Sequence, residues 1–214
     1  MPIDKRRETK VIAVVFAEVV DAGAADREKL RGALDRVNEL FLPAIAEPFG
    51  LVGHDRVDGA LADPAQMPLC LSVLREQLAP LQLRAGIGIG SVDSLRDVAG
   101  TGRDVYSVAR RALQLVIRDG GLTRYLGTGD AGDVLLGALC RLVDPLIRAR
   151  TDKQWEAIAA YRELGHQREV AERLGVTRQS VGDRLSAGNR RAVEEADAAV
   201  AAYLSYQRRQ RPGG

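Results

Sequence analysis

Cysteine and histidine are scarce in this sequence of 214 residues, which holds two of each. Cys70 and Cys140 both lie in apolar runs with helical spacing, so we interpret them as small core residues and not as a disulfide framework. His54 and His166 each stand alone, without further ligands at metal-binding spacing, and no metal site and no cofactor are expected. The lack of a disulfide pattern favours a reducing, cytoplasmic location.

Long apolar runs and an excess of one charge sign are also lacking. The continuous apolar run at residues 11–17, which is rich in β-branched residues, is too short to cross a membrane, and the charged start of the chain is not followed by an apolar stretch of signal-peptide length. The 31 basic and 29 acidic side chains leave a net charge of +2. This balance gives no overall attraction to membranes or nucleic acids, so any affinity for DNA must be local, and no membrane partner is expected.

The segment from Gln167 to Leu185 has the pattern of a helix-turn-helix. Ala171 is small enough to let two helices cross closely, Gly175 gives the tight turn its backbone freedom, and Thr177 is a candidate N-cap for the second helix. Apolar residues at helical spacing fill the space between the two helices: Val170, Leu174, Val176, Val181 and Leu185. An αα-hairpin packed on a core would show the same apolar spacing.

Polar residues cluster at the start of the second helix of this segment, and an ordinary αα-hairpin has no need for them. Their side chains donate and accept hydrogen bonds at base edges and phosphates. We therefore predict double-stranded DNA as a partner, with these contact residues: Gln167, Thr177, Arg178, Gln179, Ser180, Asp183 and Arg184.

The rest of the chain predicts an α+β fold followed by an all-α domain. Apolar periodicity places strands at 11–17, 49–52, 57–61, 81–92 and 122–126, with helices at 26–47, 67–78 and 103–117. We expect a mostly antiparallel sheet with its helices on one face. Residues 1–128 form the predicted first domain. A connecting helix at 129–150, bent or broken near Pro145, leads to a DNA-binding domain at 151–214, which has a helix at 152–164, a C-terminal helix and a basic tail.

Four motifs of the first domain resemble class III nucleotide cyclases, in matching order over residues 11–118. Phe16-Ala-Glu-Val-Val20 stands where those enzymes have Phe-x-Asp-Ile, and His54-Asp55 stands where they have Gly-Asp. Leu83–Gly90 is similar to their Arg-x-Gly-Ile strand, and Gly102–Arg110 to the helix that ends Asn-x-Ala-x-Arg. The resemblance implies a ferredoxin-like sandwich.

The SatD family of small bacterial proteins is similar over nearly the whole chain, because its members join such a domain to a C-terminal helix-turn-helix. The matching segments are His54–Gly59, Arg84–Gly88 and Val105–Arg110. The two resemblances together imply a dimerisation and sensor domain with a nucleotide as candidate ligand. The residues that this resemblance makes candidates for nucleotide binding are Glu18, Asp55, Gly86, Gly88, Tyr106 and Arg110.

Departures from the cyclase pattern predict that the protein is not an enzyme and has no catalytic residues. Glu18 replaces a metal-binding Asp, Tyr106 replaces the Asn that steadies the ribose, and Ala99 stands where a base-selecting Asp or Thr is expected. Phosphoryl chemistry of this kind depends on positioned metals and charge stabilisation, so the loss of several groups should abolish it.

The retained residues of the first domain also have structural explanations. Asp55 is equally well explained as a turn residue, and Arg110 as an ion-pair partner of Asp104 or Glu18. Gly86 and Gly88 fit close packing of the strand as well as the approach of a phosphate.

The predicted function is a dimeric, sequence-specific DNA-binding transcriptional regulator. A homodimer is expected because one module buries little surface, whereas a two-fold pair contacts two half-sites. One alternative is an active cyclase that uses Glu18 and Asp55 with Mg²⁺ or Mn²⁺. Another is a protein–protein interaction module built on the C-terminal helices.

Overall fold

A computed structural model describes residues 9–95 and 103–210. Within these ranges the chain forms a five-stranded sheet and eight α-helices. The strands are β1 (Lys10–Val19), β2 (Ile45–Val52), β3 (Arg56–Leu61), β4 (Leu83–Val92) and β5 (Thr123–Leu126). The helices are α1 (Arg27–Leu40), α2 (Met67–Leu78), α3 (Arg103–Asp119), α4 (Asp130–Arg148), α5 (Asp152–Leu164), α6 (Gln167–Leu174), α7 (Arg178–Ala187) and α8 (Arg190–Gln210).

The sheet has the strand order β2-β3-β1-β4-β5. β1 pairs antiparallel with both β3 and β4, and only the β4–β5 pair is parallel among the described strands. Residues 11–17 of β1 are all buried, as expected for an apolar run rich in β-branched residues at the centre of a sheet. The predicted α+β class and the mostly antiparallel sheet are confirmed.

Helices cover both faces of this sheet, so the prediction of helices on one face is wrong. α1 and α2 pack with the β1 side chains Val11, Val15 and Val19 in the main core. α3 packs on the opposite face, where Ala109 and Leu113 meet the β1 residues of even number, Ile12, Val14 and Phe16. The sheet is therefore enclosed between two helical layers along β1 and β4.

Two glycines of β4 explain how α3 comes so close to the sheet. A Cβ atom on Gly86 would lie 2.1 Å from the backbone N of Leu113, and one on Gly88 would lie 2.4 Å from the backbone O of Val105. No side chain fits in that space, because the helix backbone itself fills it. Close packing is thus the role of Gly86 and Gly88 here, and no phosphate has room on that side of the strand.

Replacing Gly86 by Ala should destabilise the protein by more than roughly 3 kcal/mol, because its methyl group would overlap the α3 backbone. Urea unfolding of Gly86→Ala measures this loss. Gly50→Ala is the matched control, since Gly50 is also in a strand and has no atom within 4 Å of its Cβ position. Equal stability of the two variants would contradict the close approach of α3.

The predicted helix at 26–47 ends earlier, because α1 stops at Leu40 and residues from Ile45 onward form β2. Pro43 lies in a short 3-10 turn between the two elements. Phe41 is buried in the main core, and Ile45 packs against that core after the chain has changed direction. The four-residue spacing between Phe41 and Ile45 therefore matches a helical pattern, although neither residue belongs to a helix that spans both.

The helices also answer two of the predictions, on the continuity of the chain at Pro145 and on a membrane span. α4 runs through Pro145 as far as Arg148, so the break considered at Pro145 does not occur. No helix in the described ranges has both the length and the apolar character needed to cross a bilayer.

The last helix, α8, packs against more than the helices that precede it. Val200 and Leu204 are buried in the main core beneath the sheet, whereas Val193 packs with Leu122 and Ile147. α8 also contacts α2, α4 and α7. The proposed division of the chain at residues 128 and 150 stays a prediction, with α8 contributing to the core of the first part.

Candidate functional site

The turn between α6 and α7 follows from two local signals in the sequence. Gly175 adopts the left-handed conformation with φ of +64°, which a residue with a side chain rarely takes. Thr177 then caps α7, because its Oγ1 accepts a hydrogen bond from the backbone N of Ser180 at 3.1 Å. The chain therefore leaves α6 and starts α7 in a fixed direction.

A small apolar core holds α5, α6 and α7 together. Its fully buried side chains come from all three helices, and Leu164, Leu174 and Val176 pack against it from partly buried positions. The buried members are Ala157, Ile158, Ala160, Val170, Ala171, Val181 and Leu185. This packing fixes which side of α7 faces outward.

The seven residues predicted to contact DNA lie around the outward side of α7, and we call them the polar edge: Gln167, Thr177, Arg178, Gln179, Ser180, Asp183 and Arg184. Thr177, Arg178, Gln179 and Asp183 are exposed, and the other three are partly exposed. Gln167 and Arg178 line one groove beside the start of α7, and the Gln167 side chain also approaches Gly182. None of the seven is buried by the rest of the chain.

Charges near the polar edge are mostly paired. Arg184 lies 3.5 Å from Glu156, Arg168 pairs with Glu172, and Arg173 pairs with Glu163. Arg178 differs, since its guanidinium has no acidic partner within the described residues. A free cation at the start of a helix, beside free backbone N–H groups, is suited to binding an anion.

The net charge of the protein resides in its C-terminal part. Residues 151–214 carry eleven basic and nine acidic side chains, which accounts for the whole net charge of +2, and the first 150 residues are neutral overall. Three of these basic side chains, Arg208, Arg209 and Arg211, lie at the far end of the sequence from the polar edge, and residues 151–207 carry eight basic and nine acidic side chains.

Buried polar contacts join α5 and α8 to α2. Arg162 on α5 makes two hydrogen bonds to Glu76, at 2.6 and 2.7 Å, and the Glu76 side chain is only 3% exposed. Ser72 on α2 donates to Asp197 on α8 at 2.6 Å. Burial raises the pKa of Asp197, and the hydrogen bond from Ser72 opposes this rise. Sequence reasoning missed these contacts. The available signal was Glu76 itself, because a glutamate on the apolar face of a buried helix needs a partner for its carboxylate.

Replacing Arg162 by Ala should cost about 3–5 kcal/mol of stability, because it leaves the buried Glu76 carboxylate without its partner. Arg168→Ala is the control, since Arg168 and Glu172 form an exposed pair with side chains 87% and 65% accessible. The control should change stability by less than about 0.5 kcal/mol. Urea unfolding of both variants checks the difference, and a loss below about 1 kcal/mol for Arg162→Ala would contradict the structural role of the pair.

Two of the residues that resemble cyclase positions lie beside each other, because Glu18 is opposite Arg56 in the β1–β3 register and Asp55 directly precedes Arg56. Arg84 forms an ion pair with Glu18, with its Nη1 atom 3.2 Å from Oε1 of the carboxylate. Asp55 lies in the β2–β3 turn with its carboxylate 3.8 Å from His54, and its backbone O accepts from the N of Val19. Among the described residues Arg110 forms neither of its predicted ion pairs, with Asp104 or with Glu18, and its guanidinium stacks on Phe16, 5.1 Å from the ring centre.

A different carboxylate approaches Arg110 and Tyr106. Asp58 lies opposite Phe16 in the β1–β3 register, and its pKa is raised by burial and lowered in part by Arg110. Burial and the nearby charges of Glu47 and Asp58 raise the pKa of Tyr106 to about 12. Sequence reasoning missed Asp58, although its alternation with Val57 in β3 would have placed it on the α3 side of the sheet.

Among the described residues no group of three or more His, Cys, Asp or Glu side chains is arranged to hold a metal ion. Ala99, which stands at the base-selecting position of the cyclase pattern, lies outside the described residues.

Comparison with known proteins adds little to this geometry. No protein-family model matches the sequence, and no curated protein matches it. Among solved structures, the chain is similar to a regulator of polyketide synthase expression from Bifidobacterium adolescentis, with 17% identity, coverage of 94% of this chain and 85% of that chain, and a TM-score of 0.27.

Proposed function

We propose that this protein is a dimeric, sequence-specific DNA-binding regulator in which α6 and α7 form a helix-turn-helix. The observation that carries the proposal is the exposed polar edge on a helix whose start is capped by Thr177 and whose other side is packed on an apolar core. A helix held in this way presents the side chains of its first turn to the major groove.

Arg178 and Gln179 are the proposed base-contacting residues. Both are exposed at the start of α7, and Arg178 has no competing ion pair among the described residues. An Arg side chain bonds the O6 and N7 acceptors of guanine, and a Gln side chain bonds the N6 and N7 atoms of adenine. Ser180, Asp183 and Arg184 extend the proposed contact surface along the same helix.

The first part of the chain is the proposed sensor, in keeping with its resemblance to SatD proteins. Support comes from its element order, strand, helix, strand, strand, helix, strand, which is that of a ferredoxin-like sandwich. In the proposal a nucleotide lies beside Tyr106 and Arg110, where an exposed guanidinium and a phenol stand close to Asp58.

The proposed sensor has no cyclase activity, because Glu18 forms an ion pair with Arg84 and Tyr106 replaces the Asn that steadies the ribose in cyclases. We expect no cyclic nucleotide when the full chain is incubated with ATP or GTP and Mg²⁺ or Mn²⁺, as measured by product chromatography. Turnover that disappears in Asp55→Ala would contradict this part of the proposal and would favour an enzyme.

Arg178→Ala and Gln179→Ala should each weaken binding to a selected operator by about 1–3 kcal/mol and relax the preference for one base. Gel-shift titration against operator variants measures both effects. Arg111→Ala is the matched control, because Arg111 is an exposed arginine on α3, across the sheet from α2 and α8.

Salt dependence separates DNA contacts from protein contacts in the same assay. Affinity should fall steeply with rising ionic strength, because phosphate contacts release counterions. If the two α7 variants bind DNA as tightly as Arg111→Ala does, α7 is not the recognition helix. A complex that is insensitive to salt would indicate a protein–protein module instead.

A further inference from the structure

Helix α4 has one buried face and one uncovered apolar face. Leu136, Cys140 and Ile147 are buried against neighbouring elements, and the helix contacts β5 and α8. On the other side Val134, Leu135 and Leu142 are 68%, 56% and 73% exposed. Single exposed apolar residues are ordinary on protein surfaces, but three on one side of one helix need an explanation.

The uncovered side has the spacing of a coiled-coil seam. Apolar residues recur along it at intervals of four and three residues, which is the heptad pattern that lets two helices pack along their length. The residues of this row, which we call the α4 seam, are Ala131, Leu135, Ala138, Leu142 and Pro145. All are exposed except Ala138, which is partly exposed. The alanines allow close approach, and the leucines supply the apolar surface to be buried.

Charges beside the α4 seam favour a second copy of the same helix as its partner. Asp130 is exposed at the start of α4, whereas Arg141 and Arg148 are exposed towards its end. When two such helices lie side by side in opposite directions, the acidic end of each is next to the basic end of the other. Their helix dipoles then also point in opposite directions. A parallel pair would place like charges together.

We infer that two copies of this protein pair through the α4 seam as an antiparallel, two-fold symmetric contact. Such a contact uses the same residues on both subunits, which the self-complementary charges of α4 permit. The inference specifies the dimer on which the proposed function depends. Because α5 begins only a few residues after α4, the contact would also fix the distance between the two polar edges.

The oligomeric state of the full chain, measured by sedimentation equilibrium without DNA, tests the inference. The wild type should be a dimer at micromolar concentration. Leu135→Glu and Leu142→Glu should each raise the dimer dissociation constant about 10-fold or more, because a charge would enter the buried contact. Leu42→Glu is the matched control, since Leu42 is 71% exposed and lies outside α4.

Cysteine cross-linking tests the direction of pairing. In an antiparallel contact Ala138 lies near the middle of the seam, so Ala138→Cys should form a disulfide between subunits, whereas Ala131→Cys at one end should not. The native Cys70 and Cys140 are buried, and the wild type provides the background for both variants. Efficient cross-linking of Ala131→Cys would overturn the antiparallel arrangement.

The sedimentation result and the DNA-binding result can fail independently, so a failure of the α4 contact can be told apart from a failure of the DNA-binding proposal. A monomeric wild type, or a dimer unchanged by Leu135→Glu and Leu142→Glu, would overturn the inference whether or not the protein binds DNA. A dimer that responds to both substitutions but binds no DNA would support the α4 contact and contradict the proposed function.

Discussion

The placement of the polar edge depends on the buried ion pair between Glu76 and Arg162. A carboxylate that is almost fully removed from water is tolerated only with a well-aligned partner, and the two hydrogen bonds from Arg162 supply it. The Ser72–Asp197 hydrogen bond adds a second buried contact between α2 and the last helix. Because α2 is also part of the main core, the C-terminal helices are held in one orientation relative to the sheet.

The sheet in turn sets the position of α4 through the two glycines of β4. Gly86 and Gly88 let α3 lie against the second face of the sheet, and the chain then returns to form β5 beside β4. Asp144 on α4 accepts hydrogen bonds from the backbone N atoms of Leu122 and Thr123, at 2.6 and 3.1 Å. This buried carboxylate fastens one side of α4 to the sheet, so that the seam on the opposite side faces outward.

The sequence predicted best where the decisive signal was local. The bounds of α2 and α5 match the predicted 67–78 and 152–164, and Gly175 and Thr177 identified the turn before α7 from their own chemistry. Signals that depend on strand pairing or on distant contacts were missed. Asp58 becomes a neighbour of Arg110 only through the register of β1 with β3, and Glu76 meets Arg162 across 86 positions of sequence. The position of α3 was missed for the same reason, because it depends on the side of β4 on which Gly86 and Gly88 leave room for a helix.

Buried polar contacts run from the sheet to α5, the helix that packs against the proposed recognition helix α7. Arg75 donates to Leu122 and Thr123 at the start of β5, and the adjacent Glu76 holds Arg162 on α5. A ligand on the sheet changes DNA affinity only if it stabilises one arrangement of the two polar edges over another. In the proposed dimer, altering the angle between subunits at the inferred α4 contact would make such a change without breaking these buried contacts, whereas moving the C-terminal helices against α2 would break them.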